Sequence, residues 1–393
     1  MNTESIYLLR VLTAFIEEKD PGDFKGDWGK LIELAGIHSV TGILGYMIMK
    51  YPSDVNMPVS GFMREQCLKT LAIQSQRSEQ MKRLIQEMNQ QQIDHLLFKG
   101  YIIKDYYPEP ELRTYGDIDF LIRLEDRRAS DQLMIDLGFE RKNDWEPVFS
   151  YSRQMEYYEI HTDVMEVDVS DKADYKGYFQ HIWEHAKLVE GHTYELEPEF
   201  HFLYLLTHIA KHISSSGAGI RMYMDIAVFI QHFGQNLDWD YIQRELKSLC
   251  FEDFANMVLT VVWRYFHVKS PIELRSIDDQ VLEDFMEFTF AGGVFGHVGR
   301  DSGLIYLKNQ DRNEENVSRV RTFLKRLFAP ADELEKRYTY LKGRHWLLPA
   351  AWIHRLFKTK DKWNYHAQEA KSIMNTDTEE VLKLRRIYKE IGL

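Results

Sequence analysis

The sequence predicts an α+β protein in which a small β-sheet is embedded in a mainly helical chain. Apolar residues recur at helical spacing up to about residue 90, fall into short strand-length runs between about 91 and 170, and return to helical spacing after about 175. The chain is 393 residues long and 44% hydrophobic, enough to bury a sizeable core and to form two or three domains.

The elements follow in order. "MNTESIYLLRVLTAFIEEKD" has helical spacing, no basic leader and no small-residue cleavage site, so it reads as a folded helix and not as a signal peptide. In "SEQMKRLIQEMNQQQ", Met81, Leu84, Ile85 and Met88 form one apolar stripe, and residues 1–90 are expected to be a helical N-terminal segment. "IDHLLF" is a short strand ending at Lys99-Gly100, "YIIKDYY" a short helix, and "DIDFLIR" a second strand stopped by charge. "LEDRRASDQLMIDLGF" is a helix closed by Gly138, and "EPVFSYS" and "MEYYEIHTDV" are further strands, which completes an α/β core over residues 91–175. "PEFHFLYLLTHIAKHI" and "IRMYMDIAVFIQHF", separated by the loop "SSSGAG", open a helical domain over 176–300 and a helical segment over 301–393. "HWLLPAAWIHRLFK" is the most apolar run, yet it is far shorter than the roughly 20 residues a membrane span needs, and a buried helix is expected.

The formal net charge of −12 disfavours non-specific binding to extended nucleic acid, although small anionic ligands fit if a metal or a local basic cluster receives them. Cys67 and Cys250 are the only cysteines and lie outside any CxxC pattern, so neither a zinc site nor a disulfide framework is expected, and a cytoplasmic setting fits. No fixed-period repeat or low-complexity stretch is present.

Within the second strand, Asp117 and Asp119 project to one side while Ile118 and Phe120 enter the packing. Two carboxylates so close repel unless a cation lies between them, a role suited to Mg²⁺ or Mn²⁺. A D-x-D at a strand end also occurs as plain solvated or capping aspartates. Lys99-Gly100, between a strand and a helix, is a turn where the backbone can approach a phosphate. Glu159, His161 and Asp163 share one face of a later strand, and Glu166 and Asp168 stand in the same relation just beyond it.

Strand, glycine turn, helix, "GDIDFLI" and a later acidic strand resemble the DNA polymerase β-type nucleotidyltransferase superfamily, with its Gly-Ser or Gly-Gly turn, D-x-D and third acid. The blocks "LLFKG", "LRTYGDIDFLI", "YYEIH", "LLTHIAKHISSSGAGIRMYMDIAVFI" and "LFAPADELEKRYTYLKGRHWLLPAAWIHR" are similar, in order, to those of the uncharacterised bacterial nucleotidyltransferase family 5. The resemblance implies a small mixed sheet of polymerase β type, metal binding by Asp117 and Asp119, and a nucleoside triphosphate at Lys99 and Gly100. Lys99 stands where the superfamily has glycine, and Gly100 where it has serine. It makes Glu159 the third acid, with Asp168 as runner-up. The implied reaction is Mg²⁺-dependent transfer of a nucleoside monophosphate to an unidentified acceptor, a small molecule or a protein.

His208 and His212 are spaced for one helix face, but Ile209 stands where HExxH has glutamate, so packing or hydrogen-bonding histidines near the cleft compete with zinc ligands. Arg221 and Asp225, also at i, i+4, read either as a phosphate site at a helix N-terminus or as an internal salt bridge. Arg113 reads as a phosphate contact or a structural pairing. Two rival functions stay open: a non-catalytic nucleotide- or partner-binding module, and a helical metal-dependent phosphohydrolase built on His208, His212 and Asp225.

Overall fold

The computed structural model describes residues 1–52, 57–154, 156–165, 169–215, 217–293, 328, 331, 334, 339–341, 344–358 and 377–393. The chain forms two units, residues 1–298 with 391–393, and residues 299–390.

The first unit opens with helices α1 (Thr3–Ile16), α2 (Trp28–Ile37), α3 (Thr41–Lys50) and α4 (Met57–Gln90). Side chains cap the first two: Asn2 accepts the N–H of Ser5, and Asp27 accepts those of Gly29 and Lys30. Gly45 lets α3 lie directly on α4, since a Cβ there would meet the Met63 carbonyl oxygen at 2.4 Å. Met81, Leu84 and Met88, the stripe expected on α4, are buried against the sheet, with Ile85 partly buried beside them.

Seven strands make one mixed sheet: β1 (His95–Leu97), β2 (Ile118–Ile122), β3 (Glu140–Trp145), β4 (Val148–Arg153), β5 (Glu156–His161), β6 (Ala186–Glu190) and β7 (Thr193–Leu196). Their order is β3-β4-β5-β2-β1-β7-β6, with β2–β5 and β1–β7 parallel and the other pairs antiparallel. The β6–β7 hairpin corrects the expectation of helix alone after about 175. Its turn is Gly191-His192, and Gly191 has φ +56°, a left-handed conformation suited to a hairpin.

One sheet face carries Ile118, Phe120 and Ile122 of β2 with Tyr158 and Ile160 of β5, packed with α4 and with α6 (Arg127–Asp136). Gly138, at φ +82°, follows the end of α6 as expected. The opposite face carries Asp119, Leu121, Glu159 and His161. Phe98 links it to α8 (Pro198–Ser215), its ring 5.3 Å from Tyr204 and 6.2 Å from His161. Helices α9 (Ile220–Phe233), α10 (Trp239–Ser248), α11 (Glu252–Phe266) and α12 (Asp279–Gly292) complete the described part of this unit, together with the short helices α5 (Gly100–Ile103) and α7 (Tyr175–Phe179).

In the second unit, helix Leu348–Lys358 buries Ala351 with Leu334 and Leu341, whereas Trp346 and Ile353 are exposed. Among the described side chains of "HWLLPAAWIHRLFK", then, burial is on one side only, where a wholly buried helix was expected. Among the described residues, no helix is long and apolar enough to cross a membrane.

Candidate active site

Parallel pairing of β2 with β5 sets Asp119 opposite Glu159 and Leu121 opposite His161. Paired residues project to the same side, so two acids and a histidine far apart in sequence become neighbours. One ligand atom from each of Asp119, Glu159 and His161 lies within 4.8 Å of the other two, the one such group among the described residues. Asp117 lies one residue ahead of β2, exposed at the rim, and is not among the three.

Lys99 closes the group. Its Nζ is 3.0 Å from Asp119 Oδ1, and His161 Nε2 is 2.9 Å from the same oxygen. Burial alone would raise the Asp119 pKa, but the Lys99 ammonium and the His161 hydrogen bond hold it well below the usual carboxylate range. Burial would lower the Lys99 pKa; the charge of Asp119 overrides it and holds Lys99 well above its ordinary value. Burial, then the charges of Asp119 and Asp117, push the Glu159 carboxyl up to about 7.

The lysine is presented by an unusual backbone, φ 58° and ψ −140°, in the turn that opens α5. A residue with a Cβ pays about 1–3 kcal/mol there. Gly100 serves the same turn differently. A Cβ on it would meet Arg113 Nη1 at 2.0 Å, so the missing side chain is filled by a guanidinium.

Arg113 donates from Nε and Nη2 to Asp225 at 3.1 and 2.6 Å, and Tyr107 Oη donates to Asp225 at 2.7 Å. The structure shows Arg113 in the structural pairing, and Asp225 takes Arg113 and not Arg221 as its bonded partner. Arg221 Nη1 donates to the carbonyl and hydroxyl of Thr114 at 2.6 and 2.8 Å, and its buried Nε has no hydrogen-bond partner. Burial and then the charge of Arg113 lower its pKa to about 10. The first N–H of α9, that of Ile220, donates to His38 Nδ1 at 3.3 Å, so this helix start is already partly satisfied.

His208 and His212 pack edge to face on α8, ring centroids 4.6 Å apart, and burial lowers both pKa values, His212 to about 4. With Asp225 engaged by Arg113 and Tyr107, the structure does not assemble the phosphohydrolase centre. Asp168 lies outside the described residues. Sequence reasoning missed Tyr204, buried on α8 and near enough to Lys99 to raise its pKa, and Thr114, the anchor of Arg221. The stripe Tyr204, His208, His212, each four apart, was the available signal for the first. For Thr114 there was none, since its partner is 107 residues away.

No curated protein and no solved structure matches the chain. Residues 25–267 match a family model described as an uncharacterised nucleotidyltransferase. That span contains the glycine turn, the D-x-D, the acidic strand β5 and helices α8 and α9, and the chain belongs to this nucleotidyltransferase family.

Proposed function

We propose that the protein transfers a nucleoside monophosphate from a nucleoside triphosphate to an acceptor in a reaction that depends on a divalent ion. The observation that carries this reading is the convergence of Asp119, Glu159 and His161 beside the strand-turn-helix that presents Lys99 and Gly100. Two carboxylates and an imidazole, partly or fully buried and with their ligand atoms close together, fit Mg²⁺ or Mn²⁺. Such an ion, when bound, would stabilise charge developing on the phosphoryl group and lower the pKa of the attacking group.

The chain's own residues supply the remainder. An acceptor oxygen or nitrogen attacks the α-phosphorus, the bond from that phosphorus to the α,β-bridging oxygen breaks, and pyrophosphate leaves. Glu159, paired with Asp119 across β2 and β5, would hold the ion on the acceptor's side or take the acceptor's proton. Lys99 and the Gly100 N–H meet the β- and γ-phosphates, and Arg221 Nε, buried without a hydrogen-bond partner, is a further donor for phosphate oxygens.

The test is pyrophosphate release from the four nucleoside triphosphates with Mg²⁺ or Mn²⁺ and cell-extract small-molecule and protein fractions as acceptors, comparing wild type with Asp119→Asn and Glu159→Gln. Loss of at least 100-fold in both variants is expected; wild-type rates in both would sink the reading. A second reading, nucleotide binding without turnover, is favoured by the Lys99–Asp119 ion pair, which occupies a carboxylate the reaction needs. Tight triphosphate binding with no pyrophosphate release under any ion would select it.

A further inference from the structure

Two-ion phosphoryl chemistry places two divalent cations between its acids. In this chain one cation, of a single charge, is part of the protein. The Lys99 ammonium lies 3.0 Å from Asp119, both side chains are largely buried, and its charge also faces Asp117. The left-handed turn that delivers it occupies a conformation glycine adopts far more easily, so the lysine is held there against the preference of its backbone. The same oxygen of Asp119 is also met by a histidine nitrogen. His161 is 7% exposed, with Nε2 2.9 Å from Asp119 Oδ1 and 4.0 Å from Glu159 Oε2.

We propose that the site holds a single divalent ion, on Asp119, Glu159 and His161, and that the Lys99 ammonium serves as the second cation beside Asp117 and Asp119. A second ion would add a further dication to a carboxylate already shared by the first ion and a buried ammonium, and the summed repulsion in that low-dielectric setting excludes it. His161 would coordinate through Nε2 with its proton on Nδ1, and an imidazole ligand biases the site from Mg²⁺ toward a first-row transition ion such as Mn²⁺. The triphosphate part of this inference rests on the transfer reading; the ion count does not.

The experiment is a Mn²⁺ titration of the full chain, followed by electron paramagnetic resonance and calorimetry, alone and with one equivalent of a non-hydrolysable nucleoside triphosphate analogue. One Mn²⁺ per chain is expected in both conditions, and two with the analogue, or none in either, overturns the proposal. His161→Ala should weaken Mn²⁺ binding at least 10-fold, with a smaller effect on Mg²⁺. Lys99→Met should tighten Mn²⁺ at least 10-fold in the absence of nucleotide, while Lys99→Arg, which keeps the charge, should stay near wild type. Unchanged Mn²⁺ affinity in either His161→Ala or Lys99→Met overturns the assignment of that residue, and the wild-type count stands even where a variant fails to fold. A chain that binds one Mn²⁺ but releases no pyrophosphate with any acceptor fraction refutes the transfer reading and leaves this one intact.

Discussion

At the scale of single residues, the two aspartates of the D-x-D separate in character. Asp117 is exposed, so Asp117→Ala should change stability by less than about 0.5 kcal/mol. Asp119 is the shared partner of Lys99 and His161, and Asp119→Ala leaves a buried ammonium uncompensated, a loss of about 3–5 kcal/mol. Chemical denaturation of the two variants checks this; equal stabilities would show that the Lys99 pair contributes nothing. Relief of repulsion, the effect expected of a bare carboxylate pair, is outweighed at Asp119 because the pair is not bare. Glu159 gives a pH signature. Its folded pKa, about 7, lies above the ordinary value of 4.5, so its protonated form favours the fold below about pH 4.5 and that contribution is lost as pH rises to about 7. In metal-free buffer, Glu159→Gln should therefore match wild type near pH 4.5 and exceed it by about 1–3 kcal/mol above pH 7. Urea titrations at the two pH values read the difference, and a constant offset would contradict the assigned shift.

At the scale of elements, the turn between β1 and α5 ties the site to the helical layer. Gly100 accommodates the Arg113 guanidinium, Arg113 is bound to Asp225 on α9, and Arg221, one turn earlier on α9, is bound to Thr114 just ahead of β2. Gly100→Ala should displace Arg113 and cost about 1–3 kcal/mol, the usual penalty for overpacking a filled site. Thermal unfolding checks the direction, and a melting temperature equal to wild type would mean the guanidinium shifts freely. Legibility at this scale was uneven. The α4 stripe, the end of α6 at Gly138 and strands β4 and β5 stand out by period and punctuation. The β6–β7 hairpin was equally marked by Gly191 between two short alternating segments, but neighbouring helical periods masked it.

At the scale of the whole molecule, binding should appear as stability. A ligand held only by the folded chain at 100 times its Kd adds about 2.7 kcal/mol, so a nucleoside triphosphate with Mn²⁺ should raise the melting temperature. Lys99→Ala should cut triphosphate affinity roughly 10- to 150-fold, the worth of one charge-assisted contact, and leave any response to a phosphate-free nucleoside unchanged. Equal calorimetric affinities for triphosphate in wild type and Lys99→Ala would place the triphosphate elsewhere, with Arg221 next to test. The net charge of −12 makes such a local cation matter more, since the average field of the chain repels phosphates.

The sequence by itself determined the fold class and the face on which the acids stand. Both depend on local period: alternation puts Asp117 and Asp119 opposite Ile118 and Phe120 in any strand, and helical spacing fixes the buried stripe of α4. It also determined the family resemblance, because ordered motifs survive without coordinates. Tertiary structure alone decided who meets whom. Asp119 meets Glu159 and His161 only through the parallel register of β2 and β5, which no local rule specifies. The i, i+4 spacing made Arg221 and Asp225 look like a pair, but a carboxylate takes the guanidinium with the better geometry, and a chain separation of 112 residues delivered Arg113. Long-range pairings of this kind depend on where the backbone closes, and at Lys99 it closes through a strained turn that carries an ammonium onto the site's central carboxylate.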